Sequence, residues 1–232
     1  MKFGVVIFPG SNCDGDIIHV LREVYQVETI QLWHRDRDLQ GVDFIMLPGG
    51  FSYGDYLRSG AVARFSPLME EVVKFAQKGG HVMGICNGFQ ILCESGLLEG
   101  ALVRNQNQRF ICKPLSLKTC TTNSMLTQNM QKGEVIQIPV AHAEGRFHAN
   151  EKTLAELNEH DQVLFRYCDE NGNLTAESNP NGSVESIAGI TNKTRNVFGM
   201  MPHPERAAES MIGNEDGKRI FDSILQKVLP KV

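Results

Sequence analysis

The sequence contains no apolar run approaching the roughly 20 residues that a membrane-crossing helix needs, so a membrane partner is not expected. It contains no long run of lysine or arginine, and its net charge is -4 over 232 residues. Nucleic acid is therefore a poor electrostatic match. Six cysteines stand at positions 13, 86, 93, 112, 120 and 168, and none forms a C-x-x-C pair. That spacing argues against a structural zinc, and no metal is expected. No export signal is evident either. The opening "MKFGVVIFPGSN" carries only a short apolar run and reads as a first strand. A disulfide framework is then not expected, and the cytoplasm is the expected compartment. Neither a G-x-G-x-x-G spacing nor a Walker lysine is present, so no cofactor is expected in this chain. The turn "FPGSNCDGD" leads into a helix, as phosphate-binding turns do. However, Asp14 and Asp16 would repel phosphate, and the segment reads as a βα turn facing a partner. Internal repeats, linkers and low-complexity tracts are also lacking, so a single domain over 1–232 is expected.

The first half of the chain alternates between strand and helix patterns. "FGVVIF" (3–8), "VETIQLW" (27–33), "DFIMLP" (43–48) and "HVMGIC" (81–86) read as strands. Residues 14–26, 66–77 and 88–98 place apolar side chains at helical spacing. Strands separated by helices predict βαβ units and a parallel sheet covered on both faces. After residue 100 the rhythm changes. Residues 101–140 read as strands joined by polar turns, followed by a short helix over 152–159. Strands are expected at 162–168, 186–192 and 197–203, and a closing helix at 216–229. The expected class is α/β, parallel in its N-terminal half and mixed later.

The most specific chemical signal is "GICNG", Gly84 to Gly88, where a strand gives way to a helix. A glycine, any residue, a nucleophile, any residue and a glycine at such a corner is the pattern of a nucleophile elbow. Cys86 is then the nucleophile. It sits at a helix N-terminus, where the positive end of the dipole favours negative charge. The backbone amide of Asn87 points to the same place and can hold an oxyanion. A nucleophilic cysteine needs a base, and the base needs an orienting group. His203 and Glu205 in "MMPHPER" fit, with the chain held extended by Pro202 and Pro204 so that i and i+2 face one way. His142, in "VAHAEGRFH", is a competing base. His81 begins the elbow strand and reads as structural.

"GGFSYGDYLRSG", residues 49–60, holds four glycines with two tyrosines, an aspartate and an arginine. Gly49 and Gly50 end a strand and suit close backbone approach to a reacting carbonyl. Tyr53, Asp55, Tyr56 and Arg58 are more elaborate than a turn requires. They read as the wall and lid of the site and as contacts to a partner, because Tyr and Arg are favoured interface anchors.

The elbow cysteine, the late "HPE" and the strand ending in "PGG" resemble the triad-type (class I) glutamine amidotransferases. With "FPGSNCDGD" and "LPGGFSYGDYLRSG" added, the resemblance is closer to the family of glutaminase subunits serving phosphoribosylformylglycinamidine synthase, and it runs over essentially the whole chain. It implies a class I glutamine amidotransferase-like (flavodoxin-like) fold: a mixed, mainly parallel sheet flanked by helices, with a nucleophile elbow. It implies L-glutamine as substrate, hydrolysed through a thioester on Cys86 with His203 and Glu205 assisting. It also implies delivery of ammonia to a synthetase subunit that uses ATP and magnesium, and a small bridging subunit. Gln90, Arg109, His142 and Gly145 are the glutamine-contact positions it suggests. Two alternatives stay open: a glutaminase serving another synthetase, and a redox- or stress-responsive cysteine protein of the related elbow fold.

Overall fold

The computed structural model describes residues 1–226. In chain order its first elements are β1 (Phe3–Ile7), α1 (Asp14–His19), β2 (Thr29–Trp33), β3 (Phe44–Leu47), α2 (Pro67–Gln77), β4 (His81–Ile85) and α3 (Asn87–Glu94). Then come β5 (Ala101–Val103), β6 (Ile111–Thr119), β7 (Val135–His142), β8 (Arg146–His148), α4 (Glu151–Glu159) and β9 (Val163–Cys168). β10 (Ile187–Thr191), β11 (Val197–Met200) and α5 (Lys218–Gln226) complete them. The chain gathers into two compact units. The first comprises Met1–Glu99 with Asn196–Gly199, and the second Gly100–Arg195 with the residues from Met200 on.

The first unit is the expected βαβ half. Its strands run in the order β2-β1-β3-β4-β11, and the β1–β2, β1–β3 and β3–β4 pairs are parallel. All four side chains of β3 are buried, as are Phe3, Val5 and Val6 of β1. A strand covered on both faces has no solvent side, which is why "DFIMLP" reads as a continuous apolar run rather than an alternation. Helix α1 packs on β1, α2 on β4, and α3 on both β3 and β4. The helix expected over 14–26 is α-helical only to His19, then widens into a π-helical turn over Val20–Val24. His81 lies between Phe44 and Phe198, with ring centroids 6.0 and 6.4 Å away and nearly parallel planes. It is a stacking residue, in keeping with its structural reading.

The second unit is antiparallel, in the order β10-β9-β6-β7, with β5 and β8 paired separately. Along β7, Ile136, Ile138, Val140 and His142 are the buried positions. This is the period of two that sends alternate side chains to one face, and it carries His142 into the core. Helix α4 starts at the expected place, its Asn150 side chain accepting a 2.8 Å hydrogen bond from the Thr153 amide. Such a cap contributes about 1 kcal/mol. Helix α5 buries Ile220, Phe221 and Ile224 and packs against the turn at 204–207. The end of the expected helix at 216–229 lies outside the described residues.

One expectation is corrected here. The strand read over 197–203 ends at Met200, and Pro204–Ala207 form a 3-10 turn. His203 and Glu205 are therefore not successive same-side positions of an extended chain. Proline fixes φ near -65°, which suits the first position of a helical turn as well as an extended one. In "HPER" the turn is what forms.

Candidate active site

The elbow is built by backbone contact. Cys86 joins β4 to α3 with φ 51° and ψ -107°, a region that a side-chain-bearing residue seldom occupies. Such a conformation costs of order 1–3 kcal/mol and persists only where surrounding packing enforces it. That packing depends on the two glycines. A Cβ on Gly84 would come within 2.5 Å of the Gly88 carbonyl, and a Cβ on Gly88 within 2.0 Å of the Leu47 carbonyl oxygen. Only bare backbone lets α3 settle on β3 and β4 and drive the sharp corner that holds the thiol. Cys86 itself is buried.

The residue after the nucleophile does more than lend its amide. Asn87 is 1% exposed, and its side-chain oxygen accepts from the Ser52 amide at 3.2 Å. Its Nδ2 donates to Gln90 Oε1 at 2.8 Å and to Asp55 Oδ1 at 3.4 Å. The elbow thus grips the 49–60 loop. Gly50 has φ +129°, open to glycine and strained for any other residue, and a Cβ there would meet Asn12 Oδ1 at 2.5 Å. The Gly49 carbonyl accepts from Cys13 N at 3.3 Å, and the Phe51 and Tyr53 amides donate to Gly10 and Pro9 carbonyls at 2.8 and 2.7 Å. The "FPGSN" turn is therefore clasped to the glycine loop within its own unit.

The four decorated loop residues part company. Tyr53 turns inward, its hydroxyl 2.6 Å from Nδ1 of the buried His34. Asp55 lies against Asn87. Tyr56 stands 71% exposed. Arg58 forms a two-pronged pair with Glu94, Nε to Oε1 at 2.7 Å and a terminal nitrogen to Oε2 at 2.6 Å. Two links went unread in the sequence. The grip of the Asn87 side chain was hinted at only by the choice of Asn after the cysteine. The Tyr53–His34 pair, 19 residues apart, left no local signal.

In the second unit, His203 and Glu205 meet across the 3-10 turn, with Nδ1 and Oε1 2.6 Å apart. Both residues are buried, and the His203 amide is fixed to the Pro139 carbonyl of β7 at 2.8 Å. A carboxylate accepting from Nδ1–H sets the tautomer and leaves the lone pair of the neutral ring on Nε2, the arrangement of a general base. His142, on the same strand as Pro139, is buried, and neither ring nitrogen has a hydrogen-bond partner among the described residues. Burial, with the charge of His203 adding to it, pushes its pKa down to about 4. A ring this hard to protonate fits poorly as the competing base, whose ideal pKa lies near the working pH.

Of the suggested glutamine-contact positions, Gln90 is buried beside Asn87 in the first unit. The others belong to the second. Gly145 lies flat on the His142 imidazole, where a Cβ would approach to 2.4 Å, and its amide donates to Asn105 Oδ1 at 3.1 Å. Asn105 Nδ2 in turn donates to the carbonyls of His142 at 3.0 Å and Arg109 at 2.9 Å. Asn105 therefore ties His142, Gly145 and the Arg109 backbone together, while the Arg109 residue is exposed. No disulfide joins any of the six cysteines.

Residues 1–223 match the family model described as the CobB/CobQ-like glutamine amidotransferase domain. The chain is 57% identical over 225 residues, 97% of each chain, to the phosphoribosylformylglycinamidine synthase subunit PurQ of Koribacter versatilis. It is 55% identical to the protein of the same name from Nostoc sp., covering 99% of both chains. Among solved structures, a chain of PurLQS from Thermotoga maritima superposes with a TM-score of 0.87 at 45% identity, over 98% of this chain and 99% of that one.

Proposed function

This chain belongs to the CobB/CobQ-like glutamine amidotransferase family, and from that premise we propose that it is the glutaminase subunit of a phosphoribosylformylglycinamidine synthase. It hydrolyses L-glutamine to glutamate and ammonia and passes the ammonia to a synthetase subunit. That subunit converts formylglycinamide ribonucleotide to formylglycinamidine ribonucleotide in de novo purine synthesis. ATP and magnesium act on the synthetase, and a small third subunit bridges the two. The cytoplasm is the compartment this pathway implies; among the described residues no helix is long and apolar enough to cross a membrane.

The observation that carries the reading is Cys86, held at φ 51° on a corner that two glycines make possible. Cys86 attacks the side-chain amide carbon of glutamine. His203, oriented by Glu205, takes the thiol proton and returns it to the departing ammonia. The backbone amides of Asn87 and of Gly49 or Gly50 hold the tetrahedral oxyanion, each such donor contributing about 2.7–4 kcal/mol. Water then hydrolyses the γ-glutamyl thioester. Gln90, His142, Gly145 and Arg109 contact or frame the glutamine, and the loop bearing Tyr53, Asp55, Tyr56 and Arg58 relays the state of the partner.

The test uses the assembled complex. Cys86→Ala abolishes synthesis with glutamine as nitrogen source and leaves synthesis with ammonium salts at the wild-type rate. Glutamine-dependent turnover surviving in that variant would remove Cys86 from the mechanism.

A further inference from the structure

The residue after the nucleophile carries a side chain that the proposed chemistry does not use. Asn87 is the first residue of α3, so its amide has no acceptor within the helix, as an oxyanion donor requires. Its buried side chain is engaged elsewhere. The two hydrogens on Nδ2 go to Gln90 Oε1 at 2.8 Å and to Asp55 Oδ1 at 3.4 Å, while Oδ1 accepts from the Ser52 amide at 3.2 Å. A primary amide has two donor hydrogens, and both are used. A buried amide satisfied at both ends holds its partners in one arrangement, because losing a partner leaves a polar group unpaired away from water.

Ser52 and Asp55 belong to a segment that is fastened along the whole of α3. At the helix start they meet Asn87. In the middle, Gly60 lies on the helix backbone. Its φ is +79°, and a Cβ there would stand 2.8 Å from the Ile91 nitrogen and 3.0 Å from the Gln90 carbonyl carbon. At the end, Arg58 pairs with Glu94, the last residue of α3, and the Arg64 guanidinium donates to the Glu94 carbonyl at 2.7 Å. Residues 52–64 are thus a strap on the elbow helix. The strap is not in a relaxed shape. Tyr53, Gly54 and Asp55 follow one another in the left-handed region, with φ of 55°, 65° and 53°, and Leu57 joins them at 69°. Glycine alone enters that region freely, so Tyr53, Asp55 and Leu57 stay there because surrounding contacts enforce it. Those contacts include Asn87 and Glu94 on α3, and His34 against Tyr53.

A strained strap and a helix joined by buried hydrogen bonds do not move independently. Releasing residues 52–55 releases the Asn87 side chain, and the amide of that same residue is the proposed oxyanion donor. We propose that Asn87 is a positioning residue: through Ser52 and Asp55, its side chain lets the strap fix the Asn87 amide against the oxyanion. The inference rests on the functional reading above and gives the strap a defined route to the chemistry. Asparagine suits the post because one short side chain offers both an acceptor to Ser52 and donors to Gln90 and Asp55. Leucine would offer neither, and aspartate would set a second carboxylate against Asp55.

The experiment measures glutamine-dependent and ammonia-dependent synthesis in the assembled complex. Asn87→Asp keeps the shape and the acceptor for Ser52 but opposes Asp55. Its kcat with glutamine falls about tenfold or more while KM stays within about twofold, since an oxyanion contact exists only in the transition state. Adding Asp55→Asn puts a donor opposite the new carboxylate, and the double variant recovers to within about threefold of wild type. Gln90 faces the same carboxylate in both variants, so the recovery reports on residue 55. Asp55→Ala, at a half-buried position, lowers kcat by about threefold or more at unchanged KM. Ammonia-dependent synthesis stays at the wild-type rate throughout, which shows that each complex assembles. A double variant no faster than Asn87→Asp would overturn the proposal, because the loss would then come from a charge beside the thiol. A loss confined to KM would also overturn it and assign Asn87 to glutamine binding through Gln90. Wild-type kcat in Asp55→Ala would overturn it even where Asn87→Asp did not fold. A wild-type complex that uses ammonia but not glutamine would overturn the functional reading instead.

Discussion

The nucleophile and its proposed base are held by different means. In the first unit Cys86 stands on backbone: Gly84 and Gly88 touch carbonyl groups so closely that a single added carbon has no room. In the second unit His203 is positioned by side-chain burial and one 2.6 Å hydrogen bond to Glu205 across a short turn. A backbone-built site ties chemistry to fold, because the contacts that strain the corner also seat the helix. A site built from buried side chains allows the two to be separated, because an isosteric exchange changes charge without changing shape.

That contrast can be broken or sharpened by substitution. The largest effect is expected in the second unit. Glu205→Gln keeps the volume and an acceptor beside His203 but removes the charge, so glutaminase kcat/KM falls by about 10²–10⁴. Urea denaturation of this variant shows a midpoint close to wild type; a loss of stability matching the loss of rate would erase the distinction between the units. Gly88→Ala comes next and is expected to damage both properties together. Its Cβ would lie 2.0 Å from the Leu47 carbonyl oxygen, which must move. The cost is about 3 kcal/mol, read as a fall in melting temperature of roughly 6–12 °C with activity lost alongside. A stable, inactive Gly88→Ala would show that the corner can relax independently of the helix.

The smallest of the three concerns pH. His142 has its pKa lowered from 6.5 to about 4 by burial, so the unfolded chain binds the proton more readily than the folded one. Stability contributed by the neutral ring is complete above the unfolded pKa and is lost as pH falls from there toward 4. Denaturation at pH 7 and pH 4.5 should differ by about 2–3 kcal/mol from this residue alone. His142→Phe removes that component of the pH dependence; an unchanged slope in the variant would assign the low-pH loss to other groups.

The resemblance of the two halves to their sequence patterns is uneven for the same physical reason. Continuous apolar runs and helical spacing in residues 1–99 record burial on two faces, and every strand expected there forms. The elbow was legible because close backbone approach admits only glycine, and that demand leaves a fixed spacing in the chain. "MMPHPER" was legible as a pair of residues but not as a geometry. Proline constrains φ equally in an extended chain and in the first position of a helical turn, and packing of α5 on the turn accompanies the second outcome.

By itself, then, the sequence determined the α/β alternation, the cysteine corner, and the identity of the histidine and carboxylate beside each other late in the chain. These are set by local periodicity, by steric exclusion at glycine and by short separations along the backbone. Tertiary structure alone decided that Asn87 holds the glycine loop through Ser52, that Tyr53 pairs with His34, and that Ser66 is buried with its hydroxyl unpaired among the described residues. Those contacts join residues 19 to 35 positions apart or depend on what surrounds a single atom. Hydrogen bonds of that kind follow from where strands place their turns, and no pattern of neighbouring residues encodes them.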